Sequence, residues 1–236
     1  MFILQISSYF PCPPRLLIVA GHFGAGKTNV ALNLAYMLKA EGREVTLIDL
    51  DIVNPYFRAA DAENALRAVG IQYINPPFAN TNVDIPVLSA DIQRVFPMLE
   101  QNPNASVIFD VGGDNGAVAL GRYHVELTRL GAYMLCVENA YRPLTDSPEA
   151  MLENLREIEA YSRLRCNAIV NNSNLGEETS AADLLDALPT MEAFSALAGL
   201  PILFTTVCAP LRETDLPHGP IKSPVWEIQN YTRKLF

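Results

Sequence analysis

Residues 21–28 bring together the glycines, the lysine and the hydroxyl that a phosphate-binding loop requires. They fit G-x-x-x-x-G-K-[ST], the P-loop pattern. Glycines let the backbone approach a phosphate with its N–H groups turned inward, and Lys27 is expected to reach the β- and γ-phosphates. The Thr28 hydroxyl is the expected Mg²⁺ ligand. The predicted nucleotide-binding residues here are Gly21, His22, Phe23, Gly24, Ala25, Gly26, Lys27, Thr28 and Asn29.

The elements on either side of this loop strengthen the prediction. Residues 16–20 are a short apolar run typical of a buried strand. Residues 29–40 carry apolar side chains at helical spacing, and Gly42 marks the expected end of that helix. A helix that begins at the loop adds a partial positive charge beside the expected phosphates.

Two acids end the next predicted strand, which covers residues 45–51. The spacing of Asp49 and Asp51 puts both side chains on one face if the strand persists. Acids at the carboxyl end of a strand beside a P-loop belong to the ligand crevice of a doubly wound sheet. We predict that Asp51 orients the attacking water and that Asp49 assists with Mg²⁺ or orients the loop. The alternative, that both acids cap the following helix, stays open.

A third strand, residues 106–110, ends in Asp110 and has the Walker B pattern. Asp110 is expected to hold Mg²⁺, through water. Gly113 follows at the Asp-x-x-Gly spacing that a γ-phosphate sensor requires, because a glycine N–H can approach the terminal phosphate and move when it leaves.

Asn171 ends a further strand, residues 167–171, and Asn172 and Asn174 come directly after it. This placement predicts that Asn171 hydrogen-bonds a purine edge. Turn-forming asparagines are the alternative interpretation.

Helices and strands alternate along the rest of the chain. We predict a proline-rich loop over 75–87, helices over 117–131, 180–188, 192–197 and 224–236, and a last strand over 201–207. Cys208–Arg212 could close over the base. This alternation predicts an α/β fold of three layers, with a mostly parallel, doubly wound sheet of the P-loop NTPase type.

Composition limits the remaining possibilities. The chain has 236 residues, and we predict an N-terminal extension over 1–14, as an edge strand or ordered tail, and a single nucleotide-binding domain over 15–236. A net charge of −9 argues against a broad nucleic-acid surface. Four scattered cysteines without C-x-x-C predict a reduced, cytoplasmic protein without a cysteine metal site. No apolar run is long enough to span a membrane.

Over residues 15–206 the chain resembles the MinD/ParA branch of P-loop ATPases, within the CobQ/CobB/MinD/ParA group of nucleotide-binding domains. The resemblance rests on the P-loop, on Asp49-Leu-Asp51, on residues 110–114 (Asp-Val-Gly-Gly-Asp) and on Asn171. It implies binding of ATP and Mg²⁺, slow hydrolysis, a homodimer in the ATP state and a protein client.

Two positions depart from that branch. Where many members carry a lysine that reaches the partner's phosphates, this chain has His22, so His22, Arg58 or Arg142 would have to supply the charge. Ala117 stands where the similar nitrogenase iron protein has a cluster-ligating cysteine, so a bridging iron–sulfur cluster is not expected.

These observations predict a cytoplasmic ATPase that acts as a nucleotide-dependent dimer switch. Two alternatives stay open. One is an ATP-dependent synthetase that phosphorylates a small carboxylate substrate, of the dethiobiotin synthetase or cobyrinate amidation type. The other is a nucleotide-dependent binding module that hardly hydrolyses.

Overall fold

The structure is a computed structural model that describes residues 5–10, 13–50, 60–75, 90–217 and 219–231. Eight strands form one sheet: β1 (Leu16–Ala20), β2 (Glu44–Asp49), β3 (Gln72–Ile74), β4 (Ala105–Asp110), β5 (Tyr133–Glu138), β6 (Ala168–Asn171), β7 (Ile202–Cys208) and β8 (Val225–Ile228). The described residues also form seven α-helices: α1 (Lys27–Ala40), α2 (Ala60–Ala68), α3 (Ala90–Gln101), α4 (Gly113–Gly121), α5 (His124–Arg129), α6 (Pro148–Ser162) and α7 (Ala181–Ala198).

The strand order is β3-β2-β4-β1-β5-β6-β7-β8, and every recorded pairing is parallel. Strand β1 lies between β4 and β5, so the loop that follows β1 sits between the carboxyl ends of both neighbours. The chain builds the sheet outward on both sides of this centre, which is the doubly wound arrangement that creates a ligand crevice.

Strand β1 shows how the layers are divided. Leu17 and Val19 are buried with α1, whereas Leu16 and Ile18 belong to the core formed with α3, α4, α5, α6 and α7. Because successive side chains of a strand point to opposite faces, a strand buried on both sides is apolar throughout. The structure therefore confirms the predicted three-layer α/β fold.

The N-terminal segment packs on the α1 side of the sheet. Residues 6–8 form a 3₁₀ helix, and Ile6, Tyr9 and Phe10 are buried. The Ile6 N–H donates to the Glu41 carboxylate at 2.5 Å. Of the two forms expected for this segment, the edge strand is wrong for residues 5–10, because their three apolar side chains are buried without strand pairing, and these residues form an ordered tail instead.

The predicted C-terminal helix is also wrong over residues 224–231. Residues 225–228 form β8, which pairs with β7. Trp226 and Ile228 are buried while Glu227 between them is exposed, which is the two-residue period of a strand. Four residues are too few for a helical spacing to be told apart from this alternation.

Two helix boundaries differ from the prediction. The single helix expected over 117–131 is α4 and α5, and Gly121 at the end of α4 lies so close to α6 that a Cβ there would be 2.4 Å from the Tyr161 carbonyl oxygen. The two helices expected over 180–197 are one, with Pro189 inside it. A Ser180–Asp183 capping box at its start and Gly199 at its end fix the bounds of α7.

Candidate functional site

The loop between β1 and α1 needs glycine at two positions for steric reasons. Gly21 has φ +151°, and a Cβ there would lie 2.1 Å from the carbonyl oxygen of Val137 on β5. Gly26 has φ +87°, and a Cβ there would lie 2.2 Å from Nδ2 of Asn172, just after β6. The loop is therefore seated on the ends of β5 and β6, and any side chain at either glycine would displace it.

Lys27, the first residue of α1, is buried, and its Nζ donates to the carbonyl oxygen of His22 at 2.8 Å. The same carbonyl accepts the Ala25 N–H at 3.2 Å. The ammonium group thus lies over the loop at the N-terminus of α1, where the helix dipole also favours an anion.

The other predicted loop residues lie at its rim or on the first turn of α1. His22 is partly exposed with Nδ1 3.2 Å from the Phe23 carbonyl oxygen, and the Phe23 side chain is 61% exposed. Thr28 is partly buried. Asn29 accepts the Tyr231 N–H on its Oδ1 at 2.9 Å.

The structure brings Asp49 and Asp110 together. They are the last residues of β2 and β4, they are partners in the strand register, and both are buried. Two carboxylates at neighbouring strand ends beside a P-loop lysine and threonine form the oxygen-rich donor set that Mg²⁺ prefers. Asp51 and Arg58, and residues 76–87 of the predicted loop, lie outside the described residues.

Sequence reasoning missed Tyr73, whose hydroxyl donates to Oδ2 of Asp49 at 2.8 Å. Burial and the Asp49 charge raise the pKa of Tyr73 well above its usual value, so the phenol remains a donor at neutral pH. Tyr73 meets Asp49 only because β3 pairs with β2, and no local pattern signals that contact.

Gly113 begins α4 with φ +49°, and among the described residues no atom beyond its chain neighbours and its own helix backbone lies within 4 Å of where its Cβ would be. The position three residues after Asp110 therefore has an accessible backbone and a conformation that favours glycine. Its role as a γ-phosphate sensor stays a prediction.

A cavity of about 220 Å³ opens beside the loop, on the side of β6 and β7. Its walls come from the loop, from the segments that follow β5, β6 and β7, and from the chain after β8. The lining residues include Gly24, Gly26, Asn29, Arg142, Asn172, Ser173, Asn174, Thr206, Cys208, Leu211, Ile228 and Asn230.

Asn171 is not among the residues that line this cavity. It is fully buried, its Nδ2 donates to Thr205 at 3.4 Å, and its Oδ1 accepts the Ser173 N–H at 3.1 Å. The neighbouring Asn172 instead contacts the loop: its Nδ2 donates to the Ala25 carbonyl at 2.6 Å, and its Oδ1 accepts from the Thr206 hydroxyl. Asn172, Ser173 and Asn174 line the cavity and Asn171 does not, while the predicted contact of Asn171 with a purine edge stays a prediction.

A second residue that the sequence did not reveal is Glu138, the last residue of β5. It is fully buried, and Oε1 accepts from the Asn154 amide at 2.7 Å and from the Cys136 thiol at 3.5 Å. Burial raises its pKa to about 7, against the lowering effects of these two hydrogen bonds and of the Lys27 charge. An acid at a strand end is common, and only the tertiary structure shows that this one is desolvated.

Other candidate features add little to the site. Within the described part of the chain, no group of three or more His, Cys, Asp or Glu side chains is arranged to hold a metal ion. In the same part, no helix combines the length and apolarity needed to cross a bilayer.

A parallel sheet with a glycine loop, a lysine and a helix N-terminus after its central strand defines a P-loop NTPase, a class of nucleotide-binding proteins. Residues 14–109 match the ParA family model, described as NUBPL iron-transfer P-loop NTPase. This match confirms the resemblance to the MinD/ParA-type ATPases. The search of curated proteins gives no match.

Solved structures agree with the fold. The chain is similar to the signal recognition particle 54 kDa protein of Aeropyrum pernix K1 in complex with GDP (17% identity, TM-score 0.54, 83% of this chain and 42% of that one). It is also similar to chloroplast FtsY of Physcomitrella patens (19% identity, TM-score 0.55, 89% of this chain and 63% of that one). A third similar structure is cell division protein FtsY of Thermotoga maritima (22% identity, TM-score 0.53, 89% of this chain and 67% of that one). The chain thus spans less than two thirds of the first two structures, and at these identities the likeness concerns the fold alone.

Proposed function

We propose that this protein binds and slowly hydrolyses Mg-ATP and acts as a nucleotide-dependent dimer switch in the cytoplasm. The observation that carries the proposal is the position of Lys27. It lies at the start of α1, in a loop flanked by β4, which ends in Asp110, and by the end of β5, with a nucleoside-sized cavity beside it.

In this proposal the loop N–H groups and Lys27 stabilise the charge that develops on the transferred phosphoryl group. Thr28, Asp110 and Asp49 hold Mg²⁺, which would neutralise phosphate charge when bound. Asp51 orients the attacking water, and Gly113 senses the γ-phosphate. Slow turnover by the single chain is expected, because no arginine finger is evident in cis and phosphoryl transfer without one is slow.

The cavity provides room for the nucleoside. Its lining includes the polar residues Asn172 and Asn174 and the apolar residues Leu211 and Ile228. Polar groups that fix orientation within an apolar lining are typical of small-molecule sites. We assign purine recognition to Asn174, which is partly exposed at the cavity wall, whereas Asn172 is buried. The Asn174 amide is held in place there, because its Nδ2 donates to the Asn172 carbonyl oxygen at 2.7 Å and its Oδ1 accepts the Gly176 N–H at 3.1 Å.

Arg142 is the best candidate to replace the missing signature lysine. Its side chain is exposed, and its Nε lies 3.6 Å from the point that a Cβ on Gly24 would occupy. A guanidinium at the loop rim can bind phosphate oxygens in a bidentate manner, and in a dimer it could reach those of the partner, as the missing lysine would.

The test is phosphate release by the purified protein with Mg-ATP or Mg-GTP, with light scattering after size exclusion on the same samples. We expect ATP turnover and ATP-dependent dimers in the wild type. Lys27→Ala should lose nucleotide binding, whereas Asp51→Ala should keep binding and lose turnover. Lys39→Ala, a basic residue in the last turn of α1, is the matched control for Lys27.

Two results would each contradict a different part of this proposal. Preference for GTP over ATP would reject the assigned nucleotide. ATP binding without turnover or dimers would reject the switch itself, and small carboxylate substrates would then be screened for phosphorylation.

A further inference from the structure

Glu138 lies directly behind the phosphate loop, on the end of β5. The preceding residue, Val137, supplies the carbonyl against which Gly21 packs, and the Glu138 carbonyl oxygen accepts the Asn172 N–H at 2.8 Å. Asn172 in turn holds Ala25 at 2.6 Å. The backbone of Glu138 is thus part of the seat of the loop, while its carboxyl is enclosed in the core.

The carboxyl group is incompletely paired. Oε1 has two donors, Asn154 and Cys136, but Oε2 is buried without a hydrogen-bond partner. A buried carboxylate with an oxygen left unsatisfied is costly, so small changes in the charge around it decide whether it holds a proton.

Few groups set that charge. Within the described chain, the positive charge of Lys27, whose Nζ lies on the His22 carbonyl of the loop, lowers the pKa of Glu138. Cys136 faces it from β5, and Cys136 is itself hydrogen-bonded to Cys166, which holds the Cys136 pKa above its usual value and keeps the thiol protonated. On the α6 side the partner is the neutral amide of Asn154. Lys27 is therefore the ionised group that favours the charged form of Glu138.

We propose that Glu138 is a positioning residue of the phosphate site that takes up a proton when nucleotide phosphates bind at Lys27. This inference rests on the nucleotide binding proposed above. Without nucleotide, the positive charge of the Lys27 ammonium group partly offsets the negative charge of the Glu138 carboxylate. Phosphates bring negative charge that neutralises Lys27, so the carboxylate loses its compensation and becomes the protonated acid. The proton comes from solvent, and no bond other than O–H forms or breaks.

The experiment is titration calorimetry with Mg-ADP, in PIPES and in Tris, near pH 7, where Glu138 is half ionised. The difference in heat between the buffers gives the number of protons taken up on binding. We expect the wild type to take up more protons than Glu138→Gln, by at most about half a proton at this pH. Protons that ADP itself gains or loses are the same in both proteins and cancel.

Glu192→Gln is the control variant, because Glu192 is a surface acid paired with Lys222. It should show the proton uptake of the wild type. Equal proton uptake by the wild type and Glu138→Gln, with ADP bound by both, would overturn the role of Glu138 alone. Absence of ADP binding by the wild type would instead overturn the proposed function as well.

A second variant keeps the proposal testable if Glu138→Gln does not fold. The Asn154 amide lowers the pKa of Glu138, so Asn154→Ala should move the pH at which ADP affinity falls to a higher value. If ADP affinity falls at the same pH in Asn154→Ala as in the wild type, the proposal is overturned.

Discussion

Asn172 holds the phosphate loop from below: its side-chain amide donates to the carbonyl oxygen of Ala25 at 2.6 Å, across 147 residues of sequence. The amide oxygen is held in turn by the Thr206 hydroxyl. The end of β6 therefore fixes the loop that follows β1, although β5 lies between them in the sheet.

Removing the Asn172 amide should weaken nucleotide binding by the loop and also lower the stability of the fold. For Asn172→Ala we expect about 1–3 kcal/mol of lost stability from the unpaired Ala25 and Thr206 groups, and about tenfold weaker nucleotide binding. Urea unfolding and titration with a fluorescent ATP analogue measure the two effects. Asn167→Ala is the control, since Asn167 accepts the Met134 N–H at 2.7 Å at the far end of β6. Equal loss of affinity in both variants would contradict a specific role of Asn172.

Gly26→Ala should abolish nucleotide binding. The added methyl would meet Nδ2 of Asn172 at 2.2 Å, in a backbone conformation with φ +87° that already disfavours alanine. Gly42→Ala separates the two causes, because Gly42 has φ +82° and, chain neighbours aside, no atom of the described residues lies within 4 Å of its Cβ position. Gly42→Ala should lose only the free energy of unfolding that the left-handed backbone costs an alanine, about 1–2 kcal/mol in urea unfolding. Its nucleotide affinity should equal that of the wild type. Retained binding by Gly26→Ala would show that the loop adapts to the methyl group.

Glu138 should make the stability of the protein depend on pH. Its pKa is raised from 4.5 to about 7 in the folded state, so the folded protein binds more protons than the unfolded chain between these values. This contribution to stability is complete below pH 4.5 and is lost as the pH rises through 7. Relative to the wild type, Glu138→Gln should gain about 3 kcal/mol between pH 4.5 and pH 8. Urea unfolding of both proteins at several pH values checks this, and a constant difference would contradict the raised pKa.

The local signals in the sequence were sufficient for the phosphate loop and for most of the sheet. An apolar run, three glycines at fixed spacing and a helical pattern determine β1, the loop and α1 without reference to the rest of the chain. Asp49 and Asp110 could be predicted for the same reason, since each ends an apolar strand.

What could not be predicted depends on strand order. Tyr73 reaches Asp49 because β3 pairs with β2, and Glu138 is desolvated because β5 lies between β1 and β6 under α6. Asn171 and Asn172 both follow an apolar run, and only the packing of the loop shows that Asn172 is the one in contact with it. Sequence spacing gives the element that carries a residue but not its neighbour from another strand.

Tyr73→Phe should weaken the proposed metal site without disturbing the loop. The phenol donates to a buried carboxylate of Asp49 at 2.8 Å, so its removal should cost about 1.5–3 kcal/mol of stability. A less constrained Asp49 should also raise the Mg²⁺ concentration needed for half-maximal ATPase activity. Tyr36→Phe is the matched control, because Tyr36 contributes a ring stacked on Tyr231 that phenylalanine retains. If Tyr73→Phe requires the same Mg²⁺ concentration as the wild type, the prediction that Tyr73 supports Mg²⁺ binding through Asp49 is wrong.

The chain after β8 should control the nucleotide cavity through Asn33. This buried amide on α1 donates to the Gln229 carbonyl and accepts the Gln229 N–H, both at 2.8 Å. Ile228 and Asn230, the chain neighbours of Gln229, line the cavity. Asn33 therefore fixes this wall of the cavity to α1, the helix that starts at Lys27. Asn33→Ala should therefore lower nucleotide affinity several-fold, together with about 1–3 kcal/mol of stability.

Asn104→Ala serves as its control, because the Asn104 amide donates to the Gly42 carbonyl at 3.0 Å, beyond the opposite end of α1. It removes an amide-to-backbone contact without touching the cavity. Equilibrium titration with a fluorescent ATP analogue should distinguish the two variants, with affinity reduced only in Asn33→Ala. Wild-type affinity in Asn33→Ala, at a measured loss of stability, would mean that this segment supports the fold and not the ligand.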